Sequence, residues 1–395
     1  MKTKLFIFCA LCVALLICNA CEDPVSQNYY EDTTKLWPAA DSIGEKYGYI
    51  NEKGEMVIQP QFESTNFFCN GVAKVRTLDH QIQFINKKGE VVFTLPEWHD
   101  CDTYFYNGYL RFYKYFPASL GFPDKYGLYD SNFNVVLPNI FLKIGYMSKE
   151  GLVAAGAGYY NKKGELALTL DTDSFDIHTM TGMYCEYGDF CDGVAVIKVT
   201  RQNKAHISST VGAINTKGEW VIDTTTYANL FSVGGGLLAY TNNYHEYGLV
   251  DTRGNKVTEP VFAWIGNFEE NDLLPVRFGE TGKAGYVDRT GTIRIATQFY
   301  YCEPFFEGVA WANTIDGVYS LIDTEGNVLF TLEQGEMPSG GCHNGLMCIR
   351  NYTNKVVKYI DKDNKVIYSW KTKGSASSCP GVPPTRFPKS RINQE

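Results

Sequence analysis

Hydrophobic and polar residues alternate in short stretches along most of the chain, and a polar turn divides each stretch in two. One stretch reads YGYINEKGEMVI and another reads YGLVDTRGNKVT. Alternation with a period of two predicts strands, and a polar loop containing Gly between two of them predicts a hairpin. These repeats contain no apolar period that would give an amphipathic helix of useful length. The pattern therefore predicts an all-β fold of tandem β-hairpin repeats.

Nine copies of this hairpin follow one another at a mean spacing of about 39 residues. Their turns open at Asn51, Asn86, Asp130, Asn161, Asn215, Asp251, Asp288, Asp323 and Asp361. The side-chain oxygen of Asp or Asn accepts the backbone N–H two residues later and so closes an Asx-turn. We therefore interpret these residues as structural and not as catalytic carboxylates.

The third residue after each turn opening needs a positive φ for the chain to enter the second strand, and glycine adopts that conformation most readily. Glycine holds this position in seven copies, as Gly54, Gly89, Gly164, Gly218, Gly254, Gly291 and Gly326. Asn364 holds it in the ninth copy. Phe133 stands there in the third copy, where we expect the turn to shift by one residue to Asn134.

A second signature, of the form Gly-x-Ala-x-Val, follows each hairpin at a nearly constant distance. Its first copy is GVAKV at residues 71–75, and the aromatic-rich stretch QPQFESTNFF precedes it. Together the two signatures resemble the WG (KWG) repeat family over about residues 46–370. The resemblance implies a repeat fold and a binding role. It implies no reaction, because the family is defined by its repeat.

A single hairpin of this size is marginal in water, so neighbouring repeats must bury its apolar face. Small Ala and Gly residues within strands, beside many Tyr and Phe, suit sheets that taper towards an axis. We therefore predict a β-propeller-like toroid of about eight blades, one of them a composite of the two chain ends. The alternative is an open, curved β-repeat array. The repeat domain is expected at residues 45–372, followed by a flexible tail at residues 373–395.

The N-terminus has the pattern of an export signal. Lys2 and Lys4 precede an apolar run over residues 5–17, which is too short to span a bilayer but fits a signal peptide. The run ends in Cys18-Asn19-Ala20-Cys21, which resembles the lipobox of bacterial lipoproteins. The resemblance implies a signal peptide at residues 1–20, lipid attachment at Cys21 and a tether at residues 21–44. It also implies a location in the bacterial cell envelope, with the membrane as a partner; an ordinary secretory signal is the alternative.

The charge balance excludes one large class of partner. Lys and Arg number 36 against 44 Asp and Glu, a net charge of −8, so we expect no nucleic-acid partner. Eight cysteines follow Cys21: Cys69, Cys101, Cys185, Cys191, Cys302, Cys342, Cys348 and Cys379. Two interpretations of these cysteines remain: local disulfides between Cys185 and Cys191 or between Cys342 and Cys348, or buried thiols that act as small hydrophobic residues.

The sequence contains no recognisable catalytic, metal or cofactor motif. The interval between Asn161 and Asn215 is longer than the others and carries an insertion at about residues 169–190. Its acidic residues Asp171, Asp173 and Asp176 form the candidate binding insertion, as a calcium loop or as a solvated turn. We expect no cofactor.

These observations favour a non-catalytic, surface- or envelope-anchored interaction module that binds a protein or a glycan. The alternative is an envelope hydrolase or lyase whose site is assembled from several repeats at the mouth of the ring. A pocket in which carboxylates or histidines from three or more repeats converge would favour the enzyme.

Overall fold

The computed structural model describes residues 35–115, 122–170, 182–203, 206–241, 245–314 and 316–372. Within these ranges the chain is all-β and contains no helix, which agrees with the predicted fold class. It follows that these ranges include no helix long and apolar enough to cross a membrane. The strands form nine antiparallel sheets, which follow one another along the chain as the blades of a β-propeller.

The first four blades lie between residues 37 and 168. Blade 1 holds β1 (Trp37–Ala40), β2 (Tyr47–Ile50) and β3 (Met56–Phe62). Blade 2 holds β4 (Ser64–Thr65), β5 (Val72–Arg76), β6 (Ile82–Asn86) and β7 (Val91–Thr94). Blade 3 holds β8 (His99–Cys101), β9 (Tyr109–Lys114), β10 (Lys125–Asp130) and β11 (Val135–Phe141). Blade 4 holds β12 (Leu152–Ala155), β13 (Gly158–Asn161) and β14 (Leu166–Leu168).

Blades 5 to 7 continue the same order. Blade 5 holds β15 (Gly182–Cys191), β16 (Val194–Asn203), β17 (His206–Asn215) and β18 (Trp220–Tyr227). Blade 6 holds β19 (Asn229–Gly234), β20 (Leu237–Thr241) and β21 (Gly248–Asp251). Blade 7 holds β22 (Phe262–Ile265), β23 (Leu274–Phe278), β24 (Ala284–Val287) and β25 (Ile293–Phe299).

The last two blades each have four strands. Blade 8 holds β26 (Tyr301–Cys302), β27 (Val309–Asn313), β28 (Tyr319–Asp323) and β29 (Val328–Thr331). Blade 9 holds β30 (Glu336–Pro338), β31 (Met347–Asn351), β32 (Val356–Ile360) and β33 (Val366–Lys371). In each complete blade the neighbouring strands are consecutive in the chain, so every sheet is a simple meander.

The meander sorts the connections onto two sides of the propeller. Turns from first to second strand and from third to fourth strand lie on one side, which we call the turn face. Loops from second to third strand and the connections between blades lie on the other side, which we call the loop face. The nine Asx-turns and the glycines of the second signature are therefore all on the turn face.

The expected number of blades was about eight, and the structure has nine. Each of the nine hairpins builds a blade of its own, so the two chain ends do not merge into a composite. Blade 1 is completed by Trp37–Ala40, all four residues of which are buried and pair with β2. The tether expected at residues 21–44 is therefore too long at its C-terminal end, because packing recruits residues 37–40 into the fold.

The core lies between the blades. The second and third strands are mostly buried, whereas fourth strands such as β3 and β25 alternate between buried and exposed residues. One core cluster joins Trp37 of blade 1, Phe84 of blade 2 and Phe112 of blade 3 to Tyr359 and Trp370 of blade 9. The last blade thus packs on the first, so the array is a closed ring and not the open alternative.

Candidate functional site

The Asx-turns have the expected geometry. The Oδ1 atom of Asn51 accepts the backbone N–H of Lys53 at 2.9 Å and that of Glu55 at 3.0 Å. The same pair of hydrogen bonds is made by Asn86, Asp130, Asn161, Asn215, Asp251, Asp288, Asp323 and Asp361. These side chains are therefore occupied by their own turns, which gives them a structural role.

The turn glycines have a second role that concerns the neighbouring blade. All seven have φ between +79° and +88°. A Cβ atom on Gly54 would overlap the backbone oxygen of Ile367, and one on Gly326 would lie 2.7 Å from the side chain of Ile295. Ile367 and Ile295 each belong to the fourth strand of the blade that precedes the glycine. For Gly54 the preceding blade is blade 9. The close approach of blades therefore excludes a side chain here, in addition to the requirement for positive φ.

Phe133 occupies the glycine position of the third turn without the expected shift to Asn134. Its own φ is +62°, and its N–H donates to the oxygen of Asp130 as the glycines do in the other copies. The ring of Phe133 stacks on that of Phe93 with centroids 4.2 Å apart and planes at 10°. Aromatic packing against the fourth strand of blade 2 offsets the cost of the left-handed backbone.

Carboxylates on the turn face link successive blades. Each precedes the glycine of the second signature and accepts the N–H of the corresponding glycine in the next blade. Glu150 accepts from Gly193 at 2.7 Å, Asp192 from Gly236 and Glu307 from Gly345, both at 2.8 Å. The sequence contains the signal, a polar residue before that glycine in most copies, but sequence reasoning missed it. The turn face is consequently committed to holding the ring together.

The sequence candidates for attachment and binding lie elsewhere. Cys21 lies outside the described residues, as do Asp171, Asp173 and Asp176, which belong to the chain between β14 and β15. None of the seven cysteines in the described ranges forms a disulfide. Burial raises the pKa of the thiols of Cys101, Cys191 and Cys302 to about 12, so none of these three is a reactive thiolate at neutral pH.

A cavity of about 660 Å³ opens on the loop face between blades 2 and 3. We call it the blade 2–3 cleft. It is lined by the loop between β5 and β6, by the connection between β7 and β8, and by the two ends of the loop between β9 and β10. Its size is within the range of about 300–1,000 Å³ that is usual for small-molecule sites.

Two aromatic side chains form the apolar part of the cleft. Trp98 is 48% exposed and Tyr115 is 40% exposed. Their ring centroids are 5.8 Å apart with planes at 62°, an edge-to-face arrangement, and the N–H of Tyr115 donates to the oxygen of Trp98 at 3.0 Å. The two rings therefore form a corner with two exposed aromatic walls.

The polar part of the cleft consists mainly of carboxylates, contributed by Asp79, Glu97, Asp100 and Asp124. Asp100 accepts from the ammonium group of Lys74 at 2.8 Å. Burial, together with the charges of Asp100 and Asp124, raises the pKa of Tyr113 to about 12, so its hydroxyl remains a hydrogen-bond donor at neutral pH. The cleft thus combines four anionic acceptors with the donor groups of Arg76 and Gln81.

Two histidines line the rim. The Nδ1 atom of His80 lies 2.6 Å from a carboxylate oxygen of Glu63, which also lies 3.6 Å from Nε of Arg76. The Nδ1 atom of His99 lies 2.9 Å from the backbone oxygen of Glu97. The described residues contain no cluster of three or more His, Cys, Asp or Glu side chains placed to hold a metal ion.

Sequence reasoning did not find this cleft. Its residues come from two blades and meet only because the ring places the end of one hairpin beside the next. Two features of the sequence could have pointed to it: a tryptophan, Trp98, in a connection between strands, and an unusually long loop between Lys114 and Lys125. Neither feature shows which other segment of the chain lies beside it in the fold.

The comparisons with known proteins concern the repeat. A model described as the WG containing repeat matches residues 47–79, 247–281 and 285–319. The chain carries WG repeats. Each matched WG repeat runs from the third strand of one blade into the next blade, so the sequence unit is offset by half a blade from the structural unit. No curated protein matches the chain in sequence.

A solved structure of low sequence identity shares the fold of this chain. The crystal structure of the eukaryotic initiation factor superposes with a TM-score of 0.58 at 12% identity, over 85% of this chain and 94% of that chain. Apo AztD from Citrobacter koseri gives a TM-score of 0.40 at 13% identity, over 79% and 93%. BamB from Moraxella catarrhalis gives 0.36 at 11% identity, over 79% and 88%. At such identities the likeness concerns the fold alone.

Proposed function

We propose that this protein is a non-catalytic binding module of the bacterial cell envelope that holds a protein or glycan ligand in the blade 2–3 cleft. The observation that carries the proposal is the exposed pair of Trp98 and Tyr115 beside four carboxylates in a cavity of about 660 Å³. WG repeats and a propeller fold both suit such a module.

The division of labour between the two faces supports this assignment. On the turn face, Asx-turns, glycines and the carboxylates of Glu150, Asp192 and Glu307 are engaged in contacts within and between blades. The loop face carries connections that differ in length from blade to blade, and the cleft opens there. Function on repeat scaffolds tends to reside in such variable loops, which the rigid body positions.

The composition of the cleft favours binding over the alternative of a hydrolase or lyase. Its carboxylates and histidines come from blades 2 and 3. A catalytic site assembled from several repeats would bring together carboxylates or histidines from three or more of them, and this cleft brings them from two.

Anchoring is the second part of the proposal and rests on the sequence of residues 1–21. We propose that Cys21 carries the lipid and that the residues before β1 link it to blade 1. The 17 residues from Cys21 to Trp37 span at most about 55 Å. The cleft would then lie within reach of ligands near the membrane surface.

The binding part is tested by measuring binding of the full chain to immobilised polysaccharide and protein fractions of bacterial envelopes. Saturable binding that is lost in Trp98→Ala and kept in Trp220→Ala supports the proposal. Trp220 is the matched control because it is 39% exposed on β18, in blade 5. Binding that both variants retain, or turnover of a bound component, contradicts it.

The anchor is tested by detergent phase partitioning and mass spectrometry of the mature N-terminus. The native chain should enter the detergent phase with a lipid-modified Cys21, and Cys21→Ala should move to the aqueous phase. Unchanged partitioning of Cys21→Ala would remove the anchor from the proposal and leave the binding part intact.

A further inference from the structure

We infer that the ligand of the blade 2–3 cleft is a neutral carbohydrate, an inference that rests on the proposed binding function. The walls of the cleft present exposed aromatic ring faces next to carboxylate acceptors. A pyranose ring carries apolar C–H groups on its faces and hydroxyl groups around its edge, so it matches both kinds of wall at once.

The aromatic pair supplies the apolar part of the match. Trp98 and Tyr115 meet edge to face at 62°, so their exposed faces point in different directions and can contact a sugar unit each, or two sides of one unit. The negative face of an aromatic ring attracts the slightly positive C–H groups of a sugar. Trp98 has φ +63°, an uncommon backbone conformation for a bulky residue, and the hydrogen bond from Tyr115 holds its peptide there.

The polar groups supply the second part. Carboxylates accept strong, charge-assisted hydrogen bonds from hydroxyl groups, and Asp79 and Glu97 are exposed at the cleft. The Tyr113 hydroxyl is hydrogen-bonded to the Asp100 carboxylate, whereas the side chain of Arg76 can donate to sugar hydroxyl groups. The lining contains four carboxylates, and Arg76 is its one lysine or arginine side chain. These carboxylates would repel an anionic sugar, so a neutral sugar is favoured.

A peptide fits the cleft less well. Extended peptides usually gain affinity by pairing their backbone with an open strand edge. The cleft is bounded instead by hairpin ends and by the connection between two blades, where side chains and not a strand edge line the cavity. A basic peptide would also compete with an existing cation at Asp100, which already pairs with Lys74.

The experiment measures affinity of the full chain for a panel of neutral polysaccharides built of glucose, mannose, galactose or xylose. Polygalacturonate serves as the anionic probe and oligolysine as the basic peptide. We expect micromolar to millimolar binding of at least one neutral polysaccharide, a loss of tenfold or more in Trp98→Ala and in Tyr115→Ala, and no loss in Trp220→Ala. The variants Asp79→Asn and Glu97→Gln, both at exposed positions, should weaken binding several-fold while leaving the thermal unfolding transition in place.

Each other outcome overturns the inference in a distinct way. Binding of oligolysine alone, lost in Trp98→Ala, would leave the cleft as a binding site and replace the sugar by a basic peptide. Sugar binding that Trp98→Ala and Trp220→Ala weaken equally would move the sugar to another site. Absence of binding to the whole panel would remove the carbohydrate, while binding to envelope fractions through Trp98 would still support the proposed function.

Discussion

The hydroxyl group of Tyr359 in blade 9 donates a hydrogen bond of 2.9 Å to the backbone oxygen of Pro38 in blade 1. Tyrosines at the same position of the third strand make this contact between consecutive blades: Tyr49 to Asn66, Tyr159 to Gly188 and Tyr286 to Glu303, at 2.6–2.8 Å. Blade 1 therefore follows blade 9 in the ring, although Tyr359 and Pro38 lie 321 positions apart in the chain.

The acceptor is on a different strand at the ring closure because blade 1 has no first strand within the described residues. Tyr359 reaches the second strand, and Tyr368 donates to the oxygen of Ala40 on the same strand at 2.9 Å. Pro38 has no N–H to leave unpaired. The open edge of β1 is thus covered by two hydroxyl groups from the last blade, and Trp37 adds a hydrogen bond of 2.8 Å to the oxygen of His343.

Because the ring is closed, Tyr359→Phe should destabilise the protein as much as the same change inside the ring. Tyr359 and its control Tyr286 are both almost fully buried, and each donates to one backbone oxygen. Removing the hydroxyl leaves that oxygen buried without its donor, which costs about 1–3 kcal/mol. Urea unfolding followed by tryptophan fluorescence measures the cost. A loss in Tyr286→Phe without one in Tyr359→Phe would argue for an open array.

Gly54 should tolerate alanine far less well than Gly71. Both have a positive φ, of +80° and +78°, so each change costs about 1–2 kcal/mol in backbone strain. A Cβ on Gly54 would also overlap the oxygen of Ile367 in blade 9, whereas nothing lies within 4 Å of one on Gly71. We expect Gly54→Ala to cost about 1–3 kcal/mol more than Gly71→Ala in chemical unfolding. Equal losses would show that blades 1 and 9 do not approach here.

The parts of the fold that sequence could predict are those that depend on local chemistry. Positive φ beside an Asx-turn is adopted most readily by Gly or Asn, so the hairpins and the all-β class were predictable from Asn51 and Gly54 and their equivalents. Strand β1 was not predictable, because its sequence WPAA does not resemble Gly-x-Ala-x-Val. It pairs with β2 on one side and accepts hydrogen bonds from Tyr359 and Tyr368 of the last blade. The expected number of about eight blades came from the usual range of four to eight together with a composite of the two chain ends, and β1 makes that composite unnecessary.

The candidate site was less predictable than the fold. Trp98 and Tyr115 lie in loops that carry no repeat signal, and their contact depends on how blades 2 and 3 are placed. The sequence pointed instead to the insertion at residues 169–190, and that assignment stays a prediction because Asp171, Asp173 and Asp176 are outside the described residues. Phe133 also escaped prediction, since a stacked neighbour and not its intrinsic preference holds its φ.

Glu307 should contribute more to stability than an ordinary surface carboxylate. It accepts the N–H groups of Asn344 and Gly345 in blade 9, and Lys362 lies 3.8 Å away. Glutamine keeps one oxygen but loses the charge, so we expect Glu307→Gln to cost about 1–2 kcal/mol in urea unfolding. Glu333→Gln, at an exposed position of the connection after β29, should change stability by less than about 0.5 kcal/mol. Equal effects of the two changes would contradict a role for the turn-face carboxylates.

We expect Asp189 to give the stability of the ring an unusual pH dependence. Its carboxylate, on β15 of blade 5, accepts the N–H of Tyr146 at 2.9 Å, and the guanidinium group of Arg111 lies over the ring of Tyr146. Burial raises the pKa of Asp189 to about 6, although the Tyr146 hydrogen bond and the charge of Arg111 oppose this rise. In the unfolded chain an aspartate has a pKa of about 3.9. The folded state therefore binds the proton more tightly than the unfolded state does.

A raised pKa in the folded state stabilises the fold fully below about pH 4, and this contribution is lost as the pH rises through 6. We therefore expect Asp189 to make the native protein about 2 kcal/mol more stable at pH 4.5 than at pH 7, relative to Asp189→Asn, which does not titrate. Urea unfolding of both proteins between pH 4.5 and 7.5 measures the difference. Asp323→Asn is the control, because hydrogen bonds from Asn327 lower the pKa of Asp323 and confine its effect to more acidic pH. Parallel stability profiles of the native protein and Asp189→Asn over this range would show that Asp189 is ionised in the folded ring.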